Sequence, residues 1–202
     1  MDKQITVFLL LVLFTTAHSL SCYQCDSLLG SCVNQTVTCP GGTSMCESTT
    51  TITQFGGIVV GSIENLKGCA DDCGNGSVNF GILMISSECC TSDRCNIQDA
   101  QDPSTDTPNG NTCYSCDESN NCSNVLNCSG SEDLCITATG MFLPQTMTLK
   151  GCVSKSICDS VTSISGAQNI SCCSGNLCNR AKSVTQSFLL LCFPLIAFIL
   201  ML

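Results

Sequence analysis

The chain has 202 residues and a formal net charge of −9, with 21 cysteines, no tryptophan and a single histidine. Because it has no basic stripe, we expect neither nucleic acid nor anionic lipid as a partner. His18 lies in a segment that we expect to be removed, so neither histidine-dependent catalysis nor a histidine metal site is predicted. We therefore expect a protein that is not an enzyme and that has no cofactor and no metal.

The first 19 residues predict a secretory signal peptide. Lys3 supplies the positive end, residues 7–14 form the apolar run, and residues 17–19 (Ala-His-Ser) fit the small-residue cleavage pattern. We expect cleavage before Leu20 or one residue later. The apolar run is too short to cross a bilayer, and secretion places the chain where disulfides persist.

The cysteines then define an internal repeat, because twenty of them form two sets of ten with the same order of gaps. Spacing alone leaves the disulfide pairing open. The repeat predicts two modules, residues 20–97 and 113–179, each so small that disulfides of about 2–4 kcal/mol apiece must supplement the core. The two sets are Cys22, Cys25, Cys32, Cys39, Cys46, Cys69, Cys73, Cys89, Cys90, Cys95 and Cys113, Cys116, Cys122, Cys128, Cys135, Cys152, Cys158, Cys172, Cys173, Cys178.

Between the cysteines, the pattern is typical of short strands. In the first module, the β-branched residues 49–53, a Gly56-Gly57 turn and residues 58–63 predict a hairpin, and residues 80–85 predict an apolar strand. In the second module, residues 134–139 and 146–149 flank a turn. No long segment shows a helical period, so we expect an all-β, disulfide-rich fold.

Residues 98–112 separate the modules. This segment is acidic, contains Pro103 and Pro108, and has no apolar residue larger than alanine. Such a composition cannot bury an apolar core of its own. It therefore predicts a flexible, solvated linker.

The C-terminal residues 180–202 predict a glycosylphosphatidylinositol (GPI) anchor signal. Residues 180–187 form a polar spacer and 188–202 an apolar tail, with Asn179 as the attachment residue and Ala181 or Ser183 as alternatives. The tail is shorter than the approximately 20 residues that a spanning helix needs. Cys192 would leave with the cleaved tail; if the tail were retained, it would be a thiol at membrane level.

Both cysteine sets begin with Cys-Tyr-x-Cys and end with Cys-Cys-x-x-x-x-Cys-Asn. In this order of cysteines, the chain resembles the lymphocyte-antigen-six/urokinase-receptor family. The resemblance implies two tandem three-finger (snake-toxin-like) domains, in which three β-loops extend from a disulfide knot. It also implies that Asn96 and Asn179, the closing asparagines, bond back to the first strand of each module.

The family pairing, carried onto matching cysteines, implies five disulfides in each module. In the first module they are Cys22–Cys46, Cys25–Cys32, Cys39–Cys69, Cys73–Cys89 and Cys90–Cys95. In the second they are Cys113–Cys135, Cys116–Cys122, Cys128–Cys152, Cys158–Cys172 and Cys173–Cys178.

Two kinds of surface site follow from the sequence. Loops on a rigid scaffold carry binding, and exposed aromatic residues anchor partners, so the candidate contacts are Phe55, Ile58, Met141, Phe142 and Leu143. Alternatively, Met141 and Phe142 pack against the neighbouring module. The expected N-glycosylation sites are the sequons at Asn34, Asn75, Asn121, Asn127 and Asn169.

These features together predict a GPI-anchored glycoprotein on the extracellular face of the plasma membrane. We expect it to bind an extracellular or membrane protein through its fingers, as a receptor, adhesion partner or modulator. The alternative is a secreted two-module inhibitor resembling the gamma-type phospholipase inhibitors. The tail argues against that alternative, because a soluble inhibitor does not need one.

Overall fold

The described part of the chain folds into antiparallel strands with one short α-helix. The computed structural model describes residues 19–27, 34–55, 58–59, 63–117, 119–142, 145–163 and 169–180. Module 1 consists of β1 (Ser21–Ser27), β2 (Gln35–Thr38), β3 (Met45–Phe55), β4 (Ile58–Val59), β5 (Glu64–Ala70), β6 (Gly76–Asn79) and β7 (Leu83–Cys90). Module 2 consists of β8 (Pro108–Ser115), β9 (Asn124–Ser129), β10 (Leu134–Phe142), β11 (Gln145–Val153), α1 (Lys155–Ser163) and β12 (Ile170–Cys173).

One ten-stranded sheet runs through both modules in the order β12-β10-β11-β6-β7-β3-β5-β1-β2, with β4 paired to β3 off this path. Strands β8 and β9 form a separate two-stranded sheet. The all-β, disulfide-rich fold class is therefore confirmed.

Disulfides link the strands within each module. The pairs are Cys22–Cys46, Cys39–Cys69, Cys73–Cys89, Cys90–Cys95, Cys113–Cys135, Cys116–Cys122, Cys128–Cys152, Cys158–Cys172 and Cys173–Cys178. Each matches a pair that the family resemblance implies. Cys25 is also disulfide-bonded, and Cys32, its expected partner, lies outside the described residues.

The two modules meet where β6 of module 1 pairs with β11 of module 2. Val78 and Phe80 from the first module are buried in one apolar cluster with Ile136 and Val153 from the second. The junction also has reciprocal hydrogen bonds, because the Ser77 amide donates to Ser154 Oγ and the Ser154 amide donates to the Ser77 carbonyl. The sheet, the core and these hydrogen bonds are continuous across the junction.

Residues 98–107, here called the strap, differ from the predicted free linker. Ala100 is 5% exposed and Pro103 is buried. The hydroxyls of Ser48, Thr50 and Ser86 donate to the strap carbonyls of residues 98, 100 and 101. The strap is therefore bound along module 1 through its own backbone carbonyls, and residues 108–112 begin β8 of module 2. The prediction of a free linker at 98–112 was wrong because composition does not reveal contacts made by the backbone.

Two further elements differ from expectation. The strand predicted at 80–85 begins only at Leu83, because residues 80–82 form a turn in which Gly81 has a φ of +84°. Helix α1 was not predicted, since its nine residues are too few to show a clear period. The Cys158–Cys172 disulfide and the burial of Cys158 hold it against the sheet.

Candidate partner-binding surface

Strand β3 shows that the sheet of module 1 has a covered face and an open face. Ser48, Thr50 and Ile52 are at most 2% exposed, whereas the alternating residues Glu47 and Thr49 are half-buried. Successive side chains of a strand point to opposite faces. Because the strap lies on the face of Ser48 and Thr50, a large partner has access to the other face.

The open face of module 1 contains a groove of about 540 Å³. Strands β1, β2, β3 and β5 and the turns beside them form it. It is lined by Gln24, Val37, Thr38, Pro40, Thr43, Glu47, Thr49, Leu66, Lys67, Gly68, Cys69 and Asp71. We call it the module 1 groove.

Leu66 is the main apolar contact that this groove offers. It is 54% exposed, although it belongs to the interior strand β5 and pairs with Thr49 and Asp26 on its two neighbours. Single exposed apolar residues are common on protein surfaces. A leucine at the wall of a concave site, with Val37 and Pro40 beside it, can be desolvated by a partner side chain.

The charges in the groove are acidic. Glu47 accepts hydrogen bonds from Ser87 Oγ at 2.9 Å and Thr49 Oγ1 at 3.2 Å, and Asp71 accepts one from Thr43 Oγ1 at 2.9 Å. These hydroxyls fix the carboxylates on the open face without neutralising them. The arrangement favours a cationic partner.

Lys67 of β5 also lines the groove, but its ammonium group is on the covered face. Nζ donates to the Ile97 carbonyl at 2.7 Å and lies 2.8 Å from Asp99 Oδ1, and the lysine side chain is 2% exposed. This cation therefore binds the end of module 1 and the start of the strap, and it leaves the acidic charge of the groove uncompensated.

The fingertip candidates lie at the ends of two hairpins. Phe55 pairs with Ile58 where β3 turns into β4. Met141 and Phe142 end β10, paired with Thr146 and Gln145. Leu143 lies outside the described residues. The backbone thus brings Phe55 and Ile58 together in module 1. It places Met141 and Phe142 at the end of the corresponding hairpin of module 2.

The closing asparagines are structural residues, as the resemblance implies. Asn96 is 4% exposed; its Oδ1 accepts from the Tyr23 amide, and its Nδ2 donates to the Tyr23 and Glu47 carbonyls. Asn179 is 5% exposed and makes the same bonds to Tyr114 and the Ile136 carbonyl. Each side chain ties the end of its module to two strands.

In each module, three cysteine sulfurs lie as close together as the ligands of a metal site, but all of them are in disulfides. The Sγ atoms of Cys22, Cys39 and Cys69 lie within 4.8 Å of one another. All three are in disulfides, so they provide no thiolate ligand. The same holds for the equivalent group in module 2, Cys113, Cys128 and Cys152.

The sequence profile described as "Snake toxin and toxin-like protein" matches residues 20–96 and again 112–179. The chain therefore belongs to this family of three-finger proteins. The three fingers of module 1 are β1–β2, β3–β5 and β6–β7. The equivalent fingers of module 2 are β8–β9, β10–β11 and α1–β12.

The relatives that the chain resembles include proteins named as surface receptors. The urokinase plasminogen activator surface receptors of Rattus norvegicus and Mus musculus are each 29% identical over 189 residues, covering 83% and 82% of this chain. The receptor of Bos taurus is 31% identical over 104 residues, covering 46% of this chain and 32% of its own length. This chain spans 56% of the length of the rat and mouse relatives.

The three-finger modules carry the sequon asparagines on their surface, where Asn34, Asn75, Asn121, Asn127 and Asn169 are all exposed. Among the described residues, no helix is long and apolar enough to cross a membrane. The predicted signal peptide up to His18 and the tail from Ala181 lie outside the described residues.

Proposed function

We propose that this three-finger protein is a GPI-anchored cell-surface glycoprotein that binds a protein partner on the open face of module 1. The observation that carries the proposal is Leu66, an exposed leucine in an acidic groove on the face that the strap leaves free. Support also comes from the relatives, which are named as surface receptors for a protein, urokinase plasminogen activator.

The groove defines the chemistry of the partner. Glu47 and Asp71 attract a basic segment, and Leu66 provides an apolar contact beside them. Acidic charge steers such a partner during approach and raises the association rate at low ionic strength. Binding through this surface needs no catalytic group, so the role is one of recognition.

The position of Asn179 bears on where the anchor is attached. Its side chain is buried and hydrogen-bonded to two strands, whereas the next residue, Arg180, is exposed. Ala181 and Ser183 are small and lie further along the polar spacer. We propose that the anchor is attached at one of these two residues, which leaves a shorter spacer, residues 182–187 or 184–187, and keeps the anchor away from the structural bonds of Asn179.

The first test is release from the cell surface. The full chain is expressed in cultured cells, treated with phosphatidylinositol-specific phospholipase C and followed by flow cytometry. The proposal predicts loss from the surface and recovery in the medium. A surface signal that persists would contradict the anchor, and secretion without a surface pool would favour the soluble inhibitor.

A further inference from the structure

The free sheet edges of this protein form an aggregation hazard. Within the described ranges, the ten-stranded sheet ends at β2, which pairs with β1, and at β12, which pairs with β10. In the second sheet, β9 pairs with β8. An edge strand presents backbone N–H and C=O groups on one side, and these can pair with a second copy of the chain.

These edges have few of the usual protective residues. The strands β2 (QTVT), β9 (NVLNCS) and β12 (ISCC) contain no charged residue and no proline. Natural proteins commonly protect edge strands with lysine, other charges or proline. In β2, moreover, three of the four residues are β-branched, which favours extended pairing.

Each of these edges carries a sequon. Asn34 immediately precedes β2, Asn169 immediately precedes β12, and Asn127 lies within β9. Thr36 and Ser171, the hydroxyl residues of the first two sequons, are exposed on the edge strands themselves. Asn75 is different, since it lies near the module junction and its Oδ1 accepts from the Cys89 amide at 2.7 Å.

We propose that N-linked glycans at Asn34 and Asn169 cover the two free edges of the ten-stranded sheet and keep the chain from pairing with a second copy of itself. In each transfer, the asparagine Nδ2 attacks the anomeric carbon of a lipid-diphosphate-linked oligosaccharide. A C–N bond forms, the sugar–phosphate bond breaks, the lipid diphosphate leaves with the bonding electrons, and Nδ2 loses a proton. The bulky, solvated sugar then excludes another strand from that edge.

The test compares glycan removal at the edges and at the junction. The full chain is produced in mammalian cells, and glycopeptide mass spectrometry measures occupancy at each sequon. Size-exclusion chromatography with light scattering then compares the wild type with Asn34→Gln/Asn169→Gln and with Asn75→Gln. We expect both edge sites to be occupied, the wild type and Asn75→Gln to be monomeric, and the edge variant to form dimers and larger species.

Two further samples separate edge pairing from faulty folding. Folded wild type made with a mannosidase inhibitor and trimmed by endoglycosidase H should associate in the same way. Adding Thr36→Lys and Ser171→Lys to the edge variant should restore the monomer, because a lysine protects an edge strand directly. Unoccupied edge sites in the wild type, or trimmed protein that stays monomeric, would overturn the proposal.

Discussion

Gly151 in module 2 lies directly against the backbone of Asn79 in module 1. A Cβ at position 151 would overlap the Asn79 carbonyl oxygen and lie 2.8 Å from its carbonyl carbon. The next residue, Cys152, pairs with Asn79 in the register that joins β11 to β6. The absence of a side chain at this glycine therefore allows the sheet to continue from one module to the other.

Gly151→Ala should weaken the junction, because the added methyl group meets backbone atoms that cannot move aside independently. Overpacking of this kind typically costs about 1–3 kcal/mol. Gly68→Ala is the matched control, since Gly68 stands in the equivalent Lys-Gly-Cys tripeptide of module 1 and has open space around it. Guanidinium unfolding with the disulfides intact measures the difference. Equal losses in the two variants would contradict the close approach.

Glu132 should make stability depend on pH at the same junction. It is 2% exposed, its Oε1 accepts from Ser77 Oγ of module 1, and its Oε2 accepts from the Ser129 amide. Burial raises the pKa of this carboxyl above its ordinary value of 4.5, and the nearby Asp106 raises it further, while the two hydrogen bonds lower it.

A carboxyl whose pKa is higher in the folded protein takes up a proton there first, so the free energy of unfolding rises as the pH falls. The gain begins near the raised pKa and is complete below the unfolded value, near 4.5. Glu132→Gln should lack this gain, while Glu64→Gln, which removes an exposed carboxylate, should retain it. The measurement is denaturant unfolding across that pH range; parallel curves for wild type and Glu132→Gln would refute the assignment.

Thr50→Val should loosen the strap. The Thr50 hydroxyl is buried and donates to the Ala100 carbonyl at 2.7 Å. Losing a buried hydrogen-bond donor costs about 1–3 kcal/mol, so the strap amides should exchange their hydrogens faster. Thr51→Val, on the opposite face of the same strand, serves as control. Unchanged exchange in the strap of Thr50→Val would show that this bond does not hold it.

Of all the sequence features, the order of the cysteines predicted the most about the fold. It indicated two modules, and the family resemblance then supplied the disulfide pairs and the roles of Asn96 and Asn179. These features could be predicted because they depend on residues at fixed positions within each module.

The junction could not be predicted in this way. Gly68 and Gly151 stand in identical tripeptides, yet only Gly151 faces a neighbouring backbone. Likewise, Leu66 is exposed because the strap covers the other face of β5, where Lys67 is buried. Both properties arise from which segment packs on which face, and a single sequence carries no pattern for such contacts.

The most direct test of the proposed function is a binding comparison on cells. Cells displaying the wild type, Leu66→Lys or Val125→Lys are exposed to a panel of purified secreted proteins and membrane ectodomains. Val125 is 60% exposed on β9 and matches Leu66 as an accessible apolar residue outside the groove. We predict that at least one panel protein binds the wild type and Val125→Lys with equal affinity, and that this affinity falls as the salt concentration rises. The same protein should bind Leu66→Lys about tenfold more weakly, a loss of about 1.4 kcal/mol. Equal binding to all three would contradict partner recognition in the module 1 groove.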